Sequence, residues 1–410
     1  MQNGQSGAAV AEPLIIPTEE LENDPHAIFG HYRPLVPIIK RSNDGVDLVL
    51  RASDIRELIT DHRVRQGETE IPEFLGIMDG PLFDLFKYGM LTSNGSDHRR
   101  RRLPFSAAFA VRLIADLRPR IRKVAEDLID SWQAAGEVDF LDRYAAQLPA
   151  HIISEILGLP PAEIPHFTSL VYNVSRVFTL SFTAEDVPDM QNSAAQLFDY
   201  ADRLIEARRA TPRDDFLTSS LAAVDESGDL SPIEILIQIA SLIIGGSDTT
   251  RGALAVEVAL LLQHREQWEA VCRDPALVPG AVLEALRFEP IVGSVSRFIL
   301  EDIQIGDYVL DQGKLVTFST MSAMRDIELY RDPDTFDIRR TDQQRWPLVF
   351  GGGAHRCIGE ALAKAELEEG LIALTARLPQ LRLAGEPPRL RGHSGIRRID
   401  GMKVEWPTAG

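Results

Sequence analysis

Of the two cysteines in this chain, Cys357 stands in the stretch Phe350-Gly-Gly-Gly-Ala-His-Arg-Cys357-Ile-Gly359, between a glycine run and the apolar periodicity of a last helix. At a helix start, unpaired backbone N–H groups and the helix dipole favour negative charge, so a thiolate is expected there. The glycines let the loop turn tightly and aim N–H groups at the sulfur, which restrains how much electron density it gives away. Taken alone, such a cysteine could be structural, a ligand for a metal or haem iron, or a nucleophile. For the last role His355 would have to act as base, but residues two apart at a loop–helix junction usually point different ways, and no oxyanion partner is evident.

Two further groups carry chemical potential. Gly245-Gly246-Ser247-Asp248-Thr249-Thr250 places two glycines, an acid and three hydroxyls inside an otherwise apolar helical stretch. Each glycine costs about 1 kcal/mol relative to alanine, a local conflict of the kind met at functional sites. Glycine would let something flat and large lie against the backbone, and Asp248 and Thr249 could hold water or widen the helix by back-bonding. A plain helix–helix contact at the glycines is the competing reading. Glu284-Ala-Leu-Arg287 is an i, i+3 ion pair, which in isolation reads as a surface pair.

Elements must position these residues. Ser231-Pro232-Ile233-Glu234 gives an N-cap serine, a proline at the first helical position and a glutamate at the third, so a helix starts at 232 and runs to about 264. Its flanks are apolar nearly all round, and at roughly 50 Å it must cross the centre of the molecule. Helical spacing is also present near 53–61, 113–133, 143–158, 163–181, 190–210, 279–288 and 358–378. The stretch 38–51 reads as a hairpin around Asn43-Asp44-Gly45, strands return at 295–319 and after 380, and 325–346 reads as a meandering loop. The expected organisation is an irregular segment over 1–24 followed by one mainly α domain with small β-sheets over 25–410.

Composition narrows the function classes. A net charge of −18 disfavours nucleic acid and anionic membrane as partners. Within that acidic chain, residues 98–123 hold nine Arg or Lys against Asp116 alone, a basic island. Two cysteines give neither a disulfide framework nor a zinc pattern, which points to a reducing compartment. The N-terminus lacks a basic start followed by an apolar run, and no later segment has about 18 uninterrupted apolar residues, so a cytoplasmic protein without a membrane span is expected.

The motifs occur together in an order that resembles the cytochrome P-450 family. The stretch from Phe350 to Gly359 is similar to its cysteine-ligand loop, Glu284 to Arg287 to its glutamate–arginine helix motif, and Gly245 to Thr250 to its oxygen-activation motif. Arg325-Asp326 and Pro333-Asp334-Thr335-Phe336-Asp337 resemble the meander before the cysteine loop. The likeness covers roughly residues 25 to 405 and implies that family's fold, with the long helix crossing a buried haem b.

By that resemblance Cys357 is the axial ligand of the haem iron, an electron-rich sulfur that favours O–O cleavage. His98, Arg102, Arg297 and His355 are the matching cofactor contacts, with Gly245 and Phe350 beside them, because haem propionates call for convergent cations. Pro104, just inside the helix that would carry His98 and Arg102, should clash with the carbonyl of Arg100. Thr249 and Asp248 would deliver protons to bound oxygen, and Glu284 and Arg287 would anchor the meander.

The implied activity is monooxygenation of a hydrophobic small molecule by dioxygen, in a monomer. No flavin or iron–sulfur segment is present, so electrons are expected from an acidic ferredoxin and its NAD(P)H-dependent reductase, with the basic island, Arg99 and Arg101 included, as landing patch. Phe83, Phe178, Val292 and Val295 are candidates for the substrate pocket, with the apolar run from Ile71 to Leu91 and Val174, Leu180 and Phe182 around them. A peroxide-driven peroxygenase and a non-catalytic haem-binding sensor are the alternatives.

Overall fold

Residues Pro232–Gln263 form one helix of 32 residues, the axis on which the molecule is assembled. Its start is fixed locally: the backbone N–H of Ser231 donates to Glu234 Oε2 at 3.0 Å, and Pro232 fills the first helical position. The computed structural model describes residues 11–106, 111–179 and 182–408.

The central helix joins two hydrophobic cores. Its first half, Ile235 to Ile244, packs with Phe167, Val171, Leu197 and Phe198. Its second half, Ala253 to Leu262, packs with Tyr144, Leu148, Trp268 and Leu371. Apolar side chains are removed from water on nearly every face of the helix, which stabilises it far beyond its intrinsic propensity. Between the halves, from Gly245 to Gly252, neither core claims the chain, and there the glycines and polar residues stand.

Around this axis lie helices Gly95–Ser106, Val111–Trp132, Gln147–Leu157, Ile164–Thr179, Val187–Ala210, Val278–Phe288 and Glu360–Arg377. Their positions follow the spacing of apolar residues in the sequence. The sequence reading passed over helices Gly80–Tyr88, Phe216–Ser227 and Arg265–Arg273. The last two are short and interrupted by Asp, Ser or Arg, so their apolar stripe is thin. Pro104 does lie inside Gly95–Ser106, and the helix runs on through Phe105, which is fully buried.

A six-stranded sheet runs in the order Leu14–Ile16, Ile38–Arg41, Asp47–Val49, Leu315–Ser319, Ser294–Ile299, Val64–Arg65. The 38–51 hairpin is present, with Ile39 opposite Leu48. The expectation of an irregular stretch over 1–24 does not hold for its described part. Leu14–Ile16 pairs in parallel with Ile39–Arg41, and Thr18–Asn23 is a helix. Three residues at a sheet edge are too few to show alternation, so that strand had no sequence signature. Residues 1–10 lie outside the described ones. In the antiparallel pair of 294–299 with 315–319, Arg297 stands opposite Val316 and is buried.

Among the described residues one helix, Pro232–Gln263, is long and apolar enough to cross a membrane by composition, but 67% of that window is buried inside the protein. Two carboxyls are also buried with both oxygens unpartnered: Glu257 on the central helix and Glu366 on the helix after the cysteine. Burial pushes both well above the ordinary carboxylate range, and at Glu257 the nearby Glu368 adds to the shift.

Candidate functional site

The glycine run before Cys357 is bent in a way that only glycine tolerates easily. Gly351 and Gly353 have φ of +69° and +61°, and a side chain on Gly352 would press into Ile59 at 3.0 Å. The loop then closes on itself, with the Cys357 N–H donating to the Phe350 carbonyl at 2.9 Å. The final helix begins at Glu360, capped by Gly359, so Cys357 sits just before the helix rather than within it.

Cys357 keeps an open side, yet it is set deep enough that desolvation dominates its chemistry. Burial pushes the thiol up, aided by Glu360 and opposed by the Gly359 N–H, Arg102 and Arg356. Burial and the local N–H groups thus act on this thiol in opposite directions.

Beside the loop opens a cleft of about 500 Å³ to which three elements bring the expected cofactor contacts. His98 and Arg102 come from helix Gly95–Ser106, Arg297 from its strand, and His355 from the cysteine loop. The rings of His98 and His355 lie 4.1 Å apart. His98 Nε2 and His355 Nδ1 are buried without a hydrogen-bond partner. Arg297, 4% exposed, has only Gln66 Oε1 at 3.2 Å and the Ser296 carbonyl at 2.8 Å, and Arg102 donates to the Arg356 carbonyl at 2.6 Å.

The electrostatics describe a site short of negative charge. Burial pulls the Arg297 guanidinium down to about 10, and burial together with His98, Arg297 and Arg102 pulls His355 down to about 3. His98 is also lowered, by burial and then by Arg102. Among the described residues no carboxylate forms an ion pair with any of these four. Buried cations and orphaned donors without acids fit a ligand that brings its own anions. Two propionates on one edge of a haem are such anions, and the cysteine loop stands at the same cleft through Gly353 and His355.

On the central helix the glycines divide. Gly245 is exposed, and a side chain built there meets nothing within 4 Å, so the helix borders open space at this point. A side chain on Gly246 would instead meet Ile153 at 3.0 Å, the ordinary helix–helix reason for a glycine. Thr249, half-buried, back-bonds from Oγ1 to the Gly245 carbonyl at 3.2 Å. Asp248, 7% exposed, accepts from Arg251 Nη2 at 2.8 Å and Nε at 3.1 Å.

Four apolar candidates keep part of their surface open within the protein: Phe83, Phe178, Val292 and Val295. The ring of Phe178 stands 5.4 Å from Phe86, and its carbonyl accepts from Ile396 N–H at 3.0 Å, while Val292 bridges Ile396. Ile396 thus joins this group, unmarked in sequence because its place depends on a pairing more than 100 positions away. Val174 is core, fully buried, and Phe74 and Met78 point outward. Leu180 lies outside the described residues.

The glutamate–arginine pair is wholly internal. Arg287 donates to Glu284 at 2.7 and 2.8 Å and to the carbonyls of Met324, Pro333 and Thr335, and Glu284 also accepts from Arg340, Gln343 and the Asp337 N–H. The basic island, by contrast, is mostly spoken for. Arg101 is buried against Glu234, which Arg100 shares, and Arg118 and Arg122 pair with Glu369. Arg101 is therefore a structural tie between two helices and not part of a landing patch, whereas Arg99 is exposed.

The family model "Cytochrome P450" matches residues 163–274 and 276–379. The chain is 44% identical over 394 residues to the plant-inducible cytochrome P450-pinF1 of Rhizobium radiobacter, covering 96% of this chain and 93% of that one. It is 32% identical to the mycinamicin IV hydroxylase/epoxidase of Micromonospora griseorubida, over 94% of this chain and 96% of the relative. Among solved structures it is similar to CalO2, with a TM-score of 0.88 at 26% identity over 95% and 98% of the two chains. It is also similar to P450BioI bound to an acyl carrier protein carrying hexadec-9Z-enoic acid, with a TM-score of 0.86 at 26% identity over 95% and 100%. A mainly helical fold with this cysteine loop, this cation cleft and these relatives defines a haem-iron oxidoreductase. The chain belongs to the cytochrome P450 family of monooxygenases, the bacterial members in particular.

Proposed function

We propose that this protein is a cytoplasmic haem b monooxygenase that places one atom of dioxygen into a C–H bond of an apolar small molecule. Its electrons come from a separate ferredoxin and an NAD(P)H-dependent reductase. The observation that carries the reading is the set of four donors at one cleft, His98, Arg102, Arg297 and His355, none of them paired with an acid among the described residues, since Asp61 in the same lining is taken by Arg63.

Bound haem supplies the iron chemistry that activates dioxygen. The chain's own residues do the rest. Cys357 would give its sulfur to the iron, and the Gly359 N–H beside it would restrain the charge on that sulfur. Arg297 and Arg102 would hold the propionates by charge-assisted bonds, and His98 and His355 would donate through the nitrogens that otherwise lack partners. Gly245 leaves room for the ring beside the central helix. Asp248 takes protons arriving from outside and passes them inward, and Thr249 Oγ1, lightly held by the Gly245 carbonyl, turns to orient them. Phe83, Phe178, Val292 and Val295 offer the substrate an apolar surface without an ionic anchor, which selects for apolar molecules.

Exposed Arg99, at the rim of the same cleft, is the cation offered to an acidic donor. Purified protein that binds haem, reduces with ferredoxin and converts apolar probes in a dioxygen-dependent reaction fits the reading. Protein that binds haem but turns over nothing with donor, dioxygen and a broad apolar panel contradicts it and leaves a sensor.

A further inference from the structure

Asp248 keeps only a small part of its surface open, and its carboxylate is met by Arg251, one turn along the same helix. Both hydrogen bonds from that guanidinium land on Oδ1, at 2.8 and 3.1 Å, and Oδ2 accepts none among the described residues. The arginine is 23% exposed and the aspartate 8% by side chain, so the pair spans the boundary between interior and water. An i, i+3 arginine at such a boundary has many rotamers, and most of them point into solvent.

What selects one rotamer is a residue from another helix. The Arg251 guanidinium lies over the ring of Tyr172, 4.2 Å from its centroid. Tyr172 belongs to helix Ile164–Thr179, packed with the core that holds the first half of the central helix. Its hydroxyl is buried with no hydrogen-bond partner, so the ring contributes through its face and not through its oxygen. Asp142 is the other charged group near that ring, too far to form an ion pair with Arg251.

We infer that Tyr172 is a positioning residue for proton delivery: by holding Arg251 through its ring face, it keeps Oδ1 of Asp248 pinned and Oδ2 free to take a proton from solvent and release it inward. This rests on the reading of Asp248 given above. A cation–π contact of this kind biases a rotamer equilibrium by about 3- to 10-fold, and proton transfer scales with the fraction of Asp248 held in place. Tyr172 had no mark in the sequence, since a lone tyrosine on an amphipathic helix reads as core.

The test compares Tyr172→Leu with Tyr172→Phe in the haem-loaded protein. In the diamagnetic ferrous carbon monoxide form, the Arg251 Nε–H NMR signal, assigned by its loss in Arg251→Lys, should be shifted upfield by the ring. The shift should persist in Tyr172→Phe and vanish in Tyr172→Leu. NADPH-driven oxygen consumption, with a plant-type 2Fe–2S ferredoxin and its reductase as surrogate donors, should fall about 3- to 10-fold in Tyr172→Leu with a larger solvent isotope effect, and stay near wild type in Tyr172→Phe. Arg251→Ala should show the same loss, and Tyr172→Leu added to it should change nothing further. Unchanged rate and isotope effect in Tyr172→Leu would overturn the inference, and so would an equal loss in Tyr172→Phe. If Asp248→Asn itself leaves rate and isotope effect unchanged, it is the reading of Asp248 that fails, while the NMR shift still reports whether Tyr172 holds Arg251.

Discussion

Arg287 and Arg297 are both buried arginines, and they stand in opposite conditions. Arg287 meets a carboxylate and three carbonyls, and Arg340 and Gln343 close the other side of Glu284. Arg297 meets one amide oxygen and one carbonyl and no acid, and burial lowers its guanidinium to about 10. A buried charge compensated inside the chain is scaffold, whereas one left uncompensated is kept for a ligand that supplies the missing charge. The same contrast separates Arg101, locked to Glu234, from exposed Arg99 a turn's fraction away.

The contrast can be broken most forcefully at the satisfied end. Glu284→Ala strands Arg287 and Arg340 in the core and should cost about 3–5 kcal/mol, read as a collapse of soluble, folded protein or a sharply lowered Tm with and without haem. At the unsatisfied end the outcome reverses by state. Arg297→Leu should leave the haem-free protein as stable as wild type or more so, while haem loss to an apo-globin acceptor speeds up by about 10- to 100-fold, the worth of a charge-assisted bond. If the two variants destabilised the haem-free protein equally, the distinction between scaffold and site would fail.

pH offers a third test at Glu257, whose buried carboxyl oxygens have no hydrogen-bond partner among the described residues. Its folded pKa is raised above the unfolded value, so the neutral form is the one that suits the fold. That contribution is fully present below about 4.5 and is lost as pH rises through the raised value. Glu257→Gln should therefore raise Tm relative to wild type at pH 8, with the gain shrinking as pH falls toward 5. The smallest effect is expected at Arg99. Arg99→Glu should slow reduction by ferredoxin several-fold at low ionic strength and little at high, leaving Tm unchanged, whereas Arg101→Glu should lower Tm at any salt.

What could be read from the sequence follows the range of the interactions. The central helix was legible to within a residue because its cap, proline and glutamate are neighbours. The cysteine loop was legible because its glycines and histidine stand in one short run. The division of labour between Gly245 and Gly246 was not, since it depends on Ile153 approaching from another helix. The basic island looked like a surface field in part because Glu234, Glu368 and Glu369, the partners of Arg101, Arg118 and Arg122, lie more than 100 positions away. Desolvation of Cys357 was invisible for the same reason: the helix start that favours a thiolate is local, and the burial that opposes it comes from the whole fold.

The account depends most on the sulfur of Cys357 binding iron, and the spectrum of the reduced carbon monoxide complex reads that bond directly. Wild type should show the absorption typical of thiolate ligation, and Cys357→Ser, folded and haem-loaded, should lose it together with dioxygen-dependent turnover. A serine variant that keeps the thiolate band and full turnover would contradict the account.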